Sequence, residues 1–128
     1  MIDKLLRRII LSTAFVVIAA VPVRAAKATL ERFDGPWSVV IITDQGNCDR
    51  AYRYGLRIEA GRVYYAGGSD VSVAGQVDAN GRVSVEVRSG GSMARGSGRL
   101  SGATGEGSWS GTSQNARCVG RWQAERSG

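Results

Sequence analysis

Residues 71–88, VSVAGQVDANGRVSVEVR, restrict the possible folds of this chain more than any other stretch. Val71, Val73, Gly75 and Val77 are apolar or small and alternate with polar neighbours, Ala74 excepted; Val83, Val85 and Val87 repeat the pattern. Alternation with a period of two marks two strands, each buried on one face. Between them, Asp78-Ala79-Asn80-Gly81 places Asp at the first position of a type I turn and Gly at the left-handed residue of a bulge. With that turn, Val77 pairs with Val83, Gly75 with Val85 and Val73 with Val87, so every inward residue meets another inward one.

Local patterning along the domain places eight strands, the hairpin's two included, over 37–43, 51–59, 62–66, 71–78, 82–88, 93–100, 105–111 and 118–125. In 51–59, Tyr52, Tyr54, Leu56 and Ile58 share one face; in 118–125, Cys118, Gly120, Trp122 and Ala124 do. The facing of the first strand is open, because it is apolar on both sides. So is that of the third, which carries Tyr64 and Tyr65 side by side. Glycines fill the sixth and seventh strands and leave room for large neighbours, for which Trp37, Trp109 and Trp122 are suited. Eight short strands in sequence order predict an all-β, antiparallel up-and-down barrel, with a two-sheet sandwich as the alternative.

Ahead of this domain, 1–28 reads as a signal peptide with a signal helix. Lys4, Arg7 and Arg8 form a basic start, 9–21 an apolar segment too short to span a bilayer with ease, and Pro22 a break. Ala26-Lys27-Ala28 fits a cleavage site, and Val23-Arg24-Ala25 is a second one. The chain is thereby expected in the periplasm or outside the cell, with 29–128 as a single domain and no membrane association after cleavage. The formal charge of +6 misleads, because five of the cations precede Thr29. Beyond that point stand 12 Arg, no Lys and 10 acidic residues, a net charge of +2 that gives no strong field for nucleic acid.

Cys48 and Cys118 are an even pair in an exported chain and are expected to form a disulfide. In an eight-stranded meander the end of strand one lies beside the start of strand eight, so this bond would clamp the seam. The chain-entropy estimate for a loop of this length is ~4 kcal/mol.

Two resemblances follow from the motifs. Phe33-Asp34-Gly35-Pro36-Trp37-Ser38-Val39, the cysteine pair and Gly105-x-Gly107-x-Trp109-Ser110-Gly111 resemble a group of small exported alphaproteobacterial proteins, which implies export but no activity. Gly35-Pro36-Trp37 resembles the Gly-x-Trp opening of the calycin barrels, the lipocalins and avidins. That likeness implies an arginine near the last strand packed over Trp37, a part for which Arg121 is the candidate. The small periplasmic inhibitors of proteases and of lysozyme are similar in general design.

The catalytic inventory is thin. The chain has no His, and its two Lys, Lys4 and Lys27, lie in the signal segment. A Ser-His-Asp triad, a Cys-His pair, a Lys Schiff base and His-ligated zinc are thereby excluded from the mature domain. The 44–49 stretch is similar to a calcium loop only superficially, since its glycine comes too early. No enzyme activity, metal or cofactor is expected. Two function classes remain: a module binding a small apolar ligand or an extracytoplasmic protein, inhibitor-like or not, and a structural or envelope-associated protein with no discrete ligand. For binding, the longer loops all fall at one end of the barrel, where a rigid scaffold would position them. The candidate residues there are Asp44, Gln45, Asn47, Asp49, Arg50, Asp70, Asn115 and Arg117, with Tyr52 and Tyr54 beneath them.

Overall fold

The computed structural model describes residues 13–18 and 31–128. The signal-peptide and cleavage-site expectations fall outside the described residues, except for 13–18. Those six residues have no regular secondary structure and expose Phe15, Val16, Val17 and Ile18, so the expected signal helix does not extend over them.

From Gly35 onward the chain is all strand and turn: β1 (Gly35–Gln45), β2 (Ala51–Glu59), β3 (Arg62–Tyr65), β4 (Ser72–Val77), β5 (Arg82–Ser89), β6 (Ser92–Ser101), β7 (Thr104–Ser113) and β8 (Ala116–Arg126). Each strand pairs antiparallel with its sequence neighbour, and β1 pairs with β8, so the sheet closes into a barrel rather than a sandwich. Closure leaves no sheet edge exposed. The β4–β5 hairpin has the register required by its alternation: Val77↔Val83, Gly75↔Val85 and Val73↔Val87. Its turn is fixed by Asp78, whose carboxylate accepts hydrogen bonds from the N–H groups of Asn80 and Arg82, both at 2.9 Å. Gly81 takes a φ of 87°.

Inward positions are apolar or glycine on every strand. On β1, Trp37, Val39 and Ile41 face in while Val40 and Ile42 face out; on β3, Val63 and Tyr65 face in and Tyr64 is 44% exposed. Closure requires one choice at both strands where local pattern allowed two. The glycines of β6 and β7 form a floor for Trp122. A Cβ at Gly98 or Gly107 would lie 2.5 Å from the Trp122 ring, and one at Gly105 would lie 3.4 Å from it.

The two ends of the barrel differ. At one end, the short turns after β2, β4 and β6 meet an N-terminal turn that passes beneath the barrel. Phe33 of this turn is 4% exposed and belongs to the core with Trp37, Leu100 and Ala124. The Trp37 indole N–H donates to the Phe33 carbonyl at 2.8 Å, and the Asp34 carboxylate accepts the Ala60 N–H at 2.9 Å. Arg126 locks the arrangement. Its guanidinium lies over the Trp37 ring, 5.0 Å from the centroid, and donates to the carbonyls of Asp34 and Arg32. Arg126 therefore takes the part assigned to Arg121 from the calycin resemblance. Arg121 faces outward and is bound to Asp44 instead. The physical reason is distance along β8: Trp37 pairs directly with Arg126, whereas Arg121 pairs with Ile42 on the other side of the wall.

At the opposite end, Cys48 and Cys118 are bonded, with Cα atoms 6.2 Å apart, and join the loop after β1 to the start of β8. Cys118 is 1% exposed. Gly46 makes this approach possible, because a Cβ there would lie 2.6 Å from the Cys118 sulfur.

Candidate functional site

The inner residues do not fill the barrel evenly. Toward the Phe33 end, large side chains interlock: Trp37, Ile58, Val63, Val77, Val83 and Leu100 are all buried. On the β7–β8 side, Trp109, Trp122 and the disulfide take up the interior. Between these walls runs a cavity of about 130 Å³ along the barrel interior; Trp37, Ile58, Val63, Val77, Val83 and Leu100 line its closed end, and Trp109 and Trp122 its β7–β8 side. Its upper wall consists of Tyr52, Tyr54, Tyr65, Val73, Val85 and Ala94, all only partly buried, which shows that the space opens outward. An apolar cavity of ~150 Å³ is large enough to take a benzene ring and to remain dry when empty.

Three tyrosines bring polar atoms to the cavity wall, which Arg95 also borders. The rings of Tyr52 and Tyr54 meet edge to face, with centroids 5.3 Å apart at 87°; Tyr54 and Tyr65 do so at 6.1 Å and 76°. This spacing lies in the range favoured by aromatic pairs. The strand period explains the row: Tyr52 and Tyr54 are consecutive inward residues of β2, and Tyr65 stands opposite Leu56 on β3. Among the described residues none of the three hydroxyls has a hydrogen-bond partner in the protein. Burial pushes the Tyr52 and Tyr54 phenols above their ordinary pKa, with further contributions from the neighbouring tyrosine and from Asp49. Asp70 adds to the effect at Tyr54. Both phenols are therefore neutral donors at physiological pH, not nucleophiles or bases.

The loop residues selected from sequence divide into several roles. Asp49 and Asp70 are exposed at the mouth and close enough to act on Tyr54. Asp44 is engaged on the outer wall by Arg121, which donates from Nε at 3.0 Å and from Nη2 at 3.1 Å; this bond holds its carboxyl below the usual range. Asn115 has a φ of 67° in the β7–β8 turn and follows Gln114 at 47°, a conformation that Asn tolerates better than most residues. Gln45, Asn47, Arg50 and Arg117 are exposed at the same end and do not line the cavity. Thr43 secures the 46–50 loop through hydrogen bonds to the carbonyls of Asp49 and Arg50.

Sequence patterning omitted Tyr65 and the valines of the upper wall from the candidate set. Tyr65 was hidden by its neighbour Tyr64. The valines carried the correct signal, inward alternation close to the loop end, but inward valines read as core until the filled and unfilled parts of the interior are distinguished. Among the described residues no group of three or more His, Cys, Asp or Glu is arranged to hold a metal ion. Compared with known proteins, the chain matches no protein-family model, no curated protein and no solved structure.

Proposed function

We propose that this protein is an exported binding module whose small apolar ligand enters the barrel between the longer loops. The observation that carries this reading is an apolar cavity inside the barrel, closed by buried side chains at the Phe33 end and bordered by partly buried ones at the loop end. A protein that needed only a stable scaffold would gain from filling that volume, since each Å³ of cavity costs ~24 cal/mol by analogy with core truncations. The cavity is below the usual 300–1,000 Å³ of pockets that enclose a whole drug-sized molecule. It is suited to one ring or a short alkyl segment, with the rest of the ligand in the mouth.

Toluene titrated into the protein and followed by NMR tests this. Shift changes should concentrate on Tyr52, Tyr54, Val73, Val85 and Ala94, and Ala94→Phe, which fills the space, should abolish them while the far end of the barrel keeps its spectrum. A toluene response spread evenly over the outer surface, or one untouched by Ala94→Phe, would refute ligand entry.

A further inference from the structure

Taking the cavity-binding function above as its premise, we infer that the mouth selects a ligand with a cationic head, an alkyl- or arylammonium group, over neutral or anionic analogues. Three observations converge on this. First, Tyr52, Tyr54 and Tyr65 stand in a row of mutually near-perpendicular rings at the mouth, 5.3 and 6.1 Å between successive centroids. Perpendicular rings form a corner that offers π faces and phenol oxygens to one small group. Such aromatic corners attract ammonium ions through the ring quadrupole, more strongly where water is partly excluded.

Second, the hydroxyls of this row have no partner among the described residues, so their oxygens are free to accept a hydrogen bond from an ammonium N–H or to pack against its methyl groups. Third, two carboxylates lie close enough to act on Tyr52 and Tyr54. Asp49 influences both Tyr52 and Tyr54, and Asp70 influences Tyr54. Arg50 and Arg117 stand at the same end of the barrel but do not line the cavity, and Arg95, which borders it, faces the Glu86 carboxylate at 4.0 Å. A carboxylate head would meet like charge from Asp49 and Asp70, whereas an ammonium would be attracted by both. The apolar wall below, formed by Val73, Val85 and Ala94, takes the attached ring or chain.

The test uses three probes that share a benzyl group: benzyltrimethylammonium, benzyl alcohol and phenylacetate, each titrated into the full domain and followed by NMR. The ammonium should bind about tenfold tighter than the alcohol, and phenylacetate weakest of all. Tyr54→Leu should bring the ammonium-to-alcohol ratio close to one, whereas Tyr54→Phe, which keeps the ring, should preserve it. Asp49→Asn combined with Asp70→Asn should lower the ratio about threefold. Equal binding of ammonium and alcohol, a preference for phenylacetate, or a ratio unchanged in Tyr54→Leu would overturn cation selection. Toluene separates this from the premise: if toluene enters the cavity and the ammonium is not preferred, only the inference about the head group falls. If toluene does not enter either, the cavity-binding function falls with it.

Discussion

Trp122 lies across its cross-strand partner Gly107 and donates its indole N–H to the Ser97 carbonyl one strand further on, at 3.1 Å. Trp109 repeats the arrangement in the opposite direction, lying against its partner Gly120 and donating to the Ile42 carbonyl of β1 at 3.0 Å. In both cases the glycine makes room for the acceptor as well as the ring. A Cβ at Gly107 would lie 2.0 Å from the Ser97 oxygen, and one at Gly120 would lie 1.8 Å from the Ile42 oxygen. Two buried donors are thereby satisfied inside a barrel that offers few other polar groups, which matters because an unpaired buried N–H is costly.

Gly107→Ala and Gly120→Ala should therefore each destabilise the domain by about 2–4 kcal/mol, the sum of overpacking and a lost hydrogen bond. Gly91→Ala is the control: a Cβ there meets nothing within 4 Å. Urea denaturation monitored by tryptophan fluorescence measures all three. A loss at Gly91 equal to that at Gly107 would remove the steric explanation.

The two arginines of β8 give a direct contrast. Arg126→Leu removes two carbonyl partners and the contact over Trp37, and should cost about 2 kcal/mol. Arg121→Leu removes only an exposed, solvent-screened ion pair with Asp44 and should leave the denaturation midpoint nearly unchanged. Matched denaturation curves decide the order, and a reversed order would restore Arg121 to the structural role.

Gly81 is constrained twice. Its φ of 87° is one most side chains avoid, and a Cβ would lie 2.1 Å from the Leu100 carbonyl oxygen. Gly81→Val should cost about 3 kcal/mol or more, beyond the backbone strain alone. An unchanged denaturation midpoint would mean that the turn rebuilds itself in another form.

The disulfide closes a sequence separation of 70 residues across the seam between β1 and β8. Cys48→Ala with Cys118→Ala should lose up to about 4 kcal/mol. Native protein should resist alkylation until it is reduced. Rapid labelling of both thiols without reductant would show that the seam is held by strand pairing alone.

Acid stability should depend on Asp78. Hydrogen bonds from the backbone N–H groups of Arg82 and Asn80 hold its carboxyl below the ordinary value. A carboxyl depressed in the folded state stabilises it above its unfolded pKa of about 3.9, and that contribution is lost as pH falls through the lower folded value. Stability measured by denaturation should decline below about pH 4, and the decline should be shallower in Asp78→Ala, which should also be less stable at neutral pH. Parallel pH profiles for the two proteins would remove Asp78 from that role.

Strand positions, the inward faces of β2, β4, β5 and β8, the β4–β5 register, the meander order and the cysteine pairing are legible from the residues. Each depends on local or nearest-neighbour physics: a period of two, a turn that demands Asp and Gly, and hairpins that join adjacent strands. Closure of the barrel decided the rest. It turned Tyr65 inward and Tyr64 outward, brought Arg126 rather than Arg121 over Trp37, and drew Asp44 to the outer wall. It also drew Phe33 beneath one end and left space beside Tyr52 and Tyr54 at the other. The physical reason is that the interior is one shared volume filled from all eight strands. Which part remains open depends on the sum of side chains far apart in the chain, and no local pattern carries that sum.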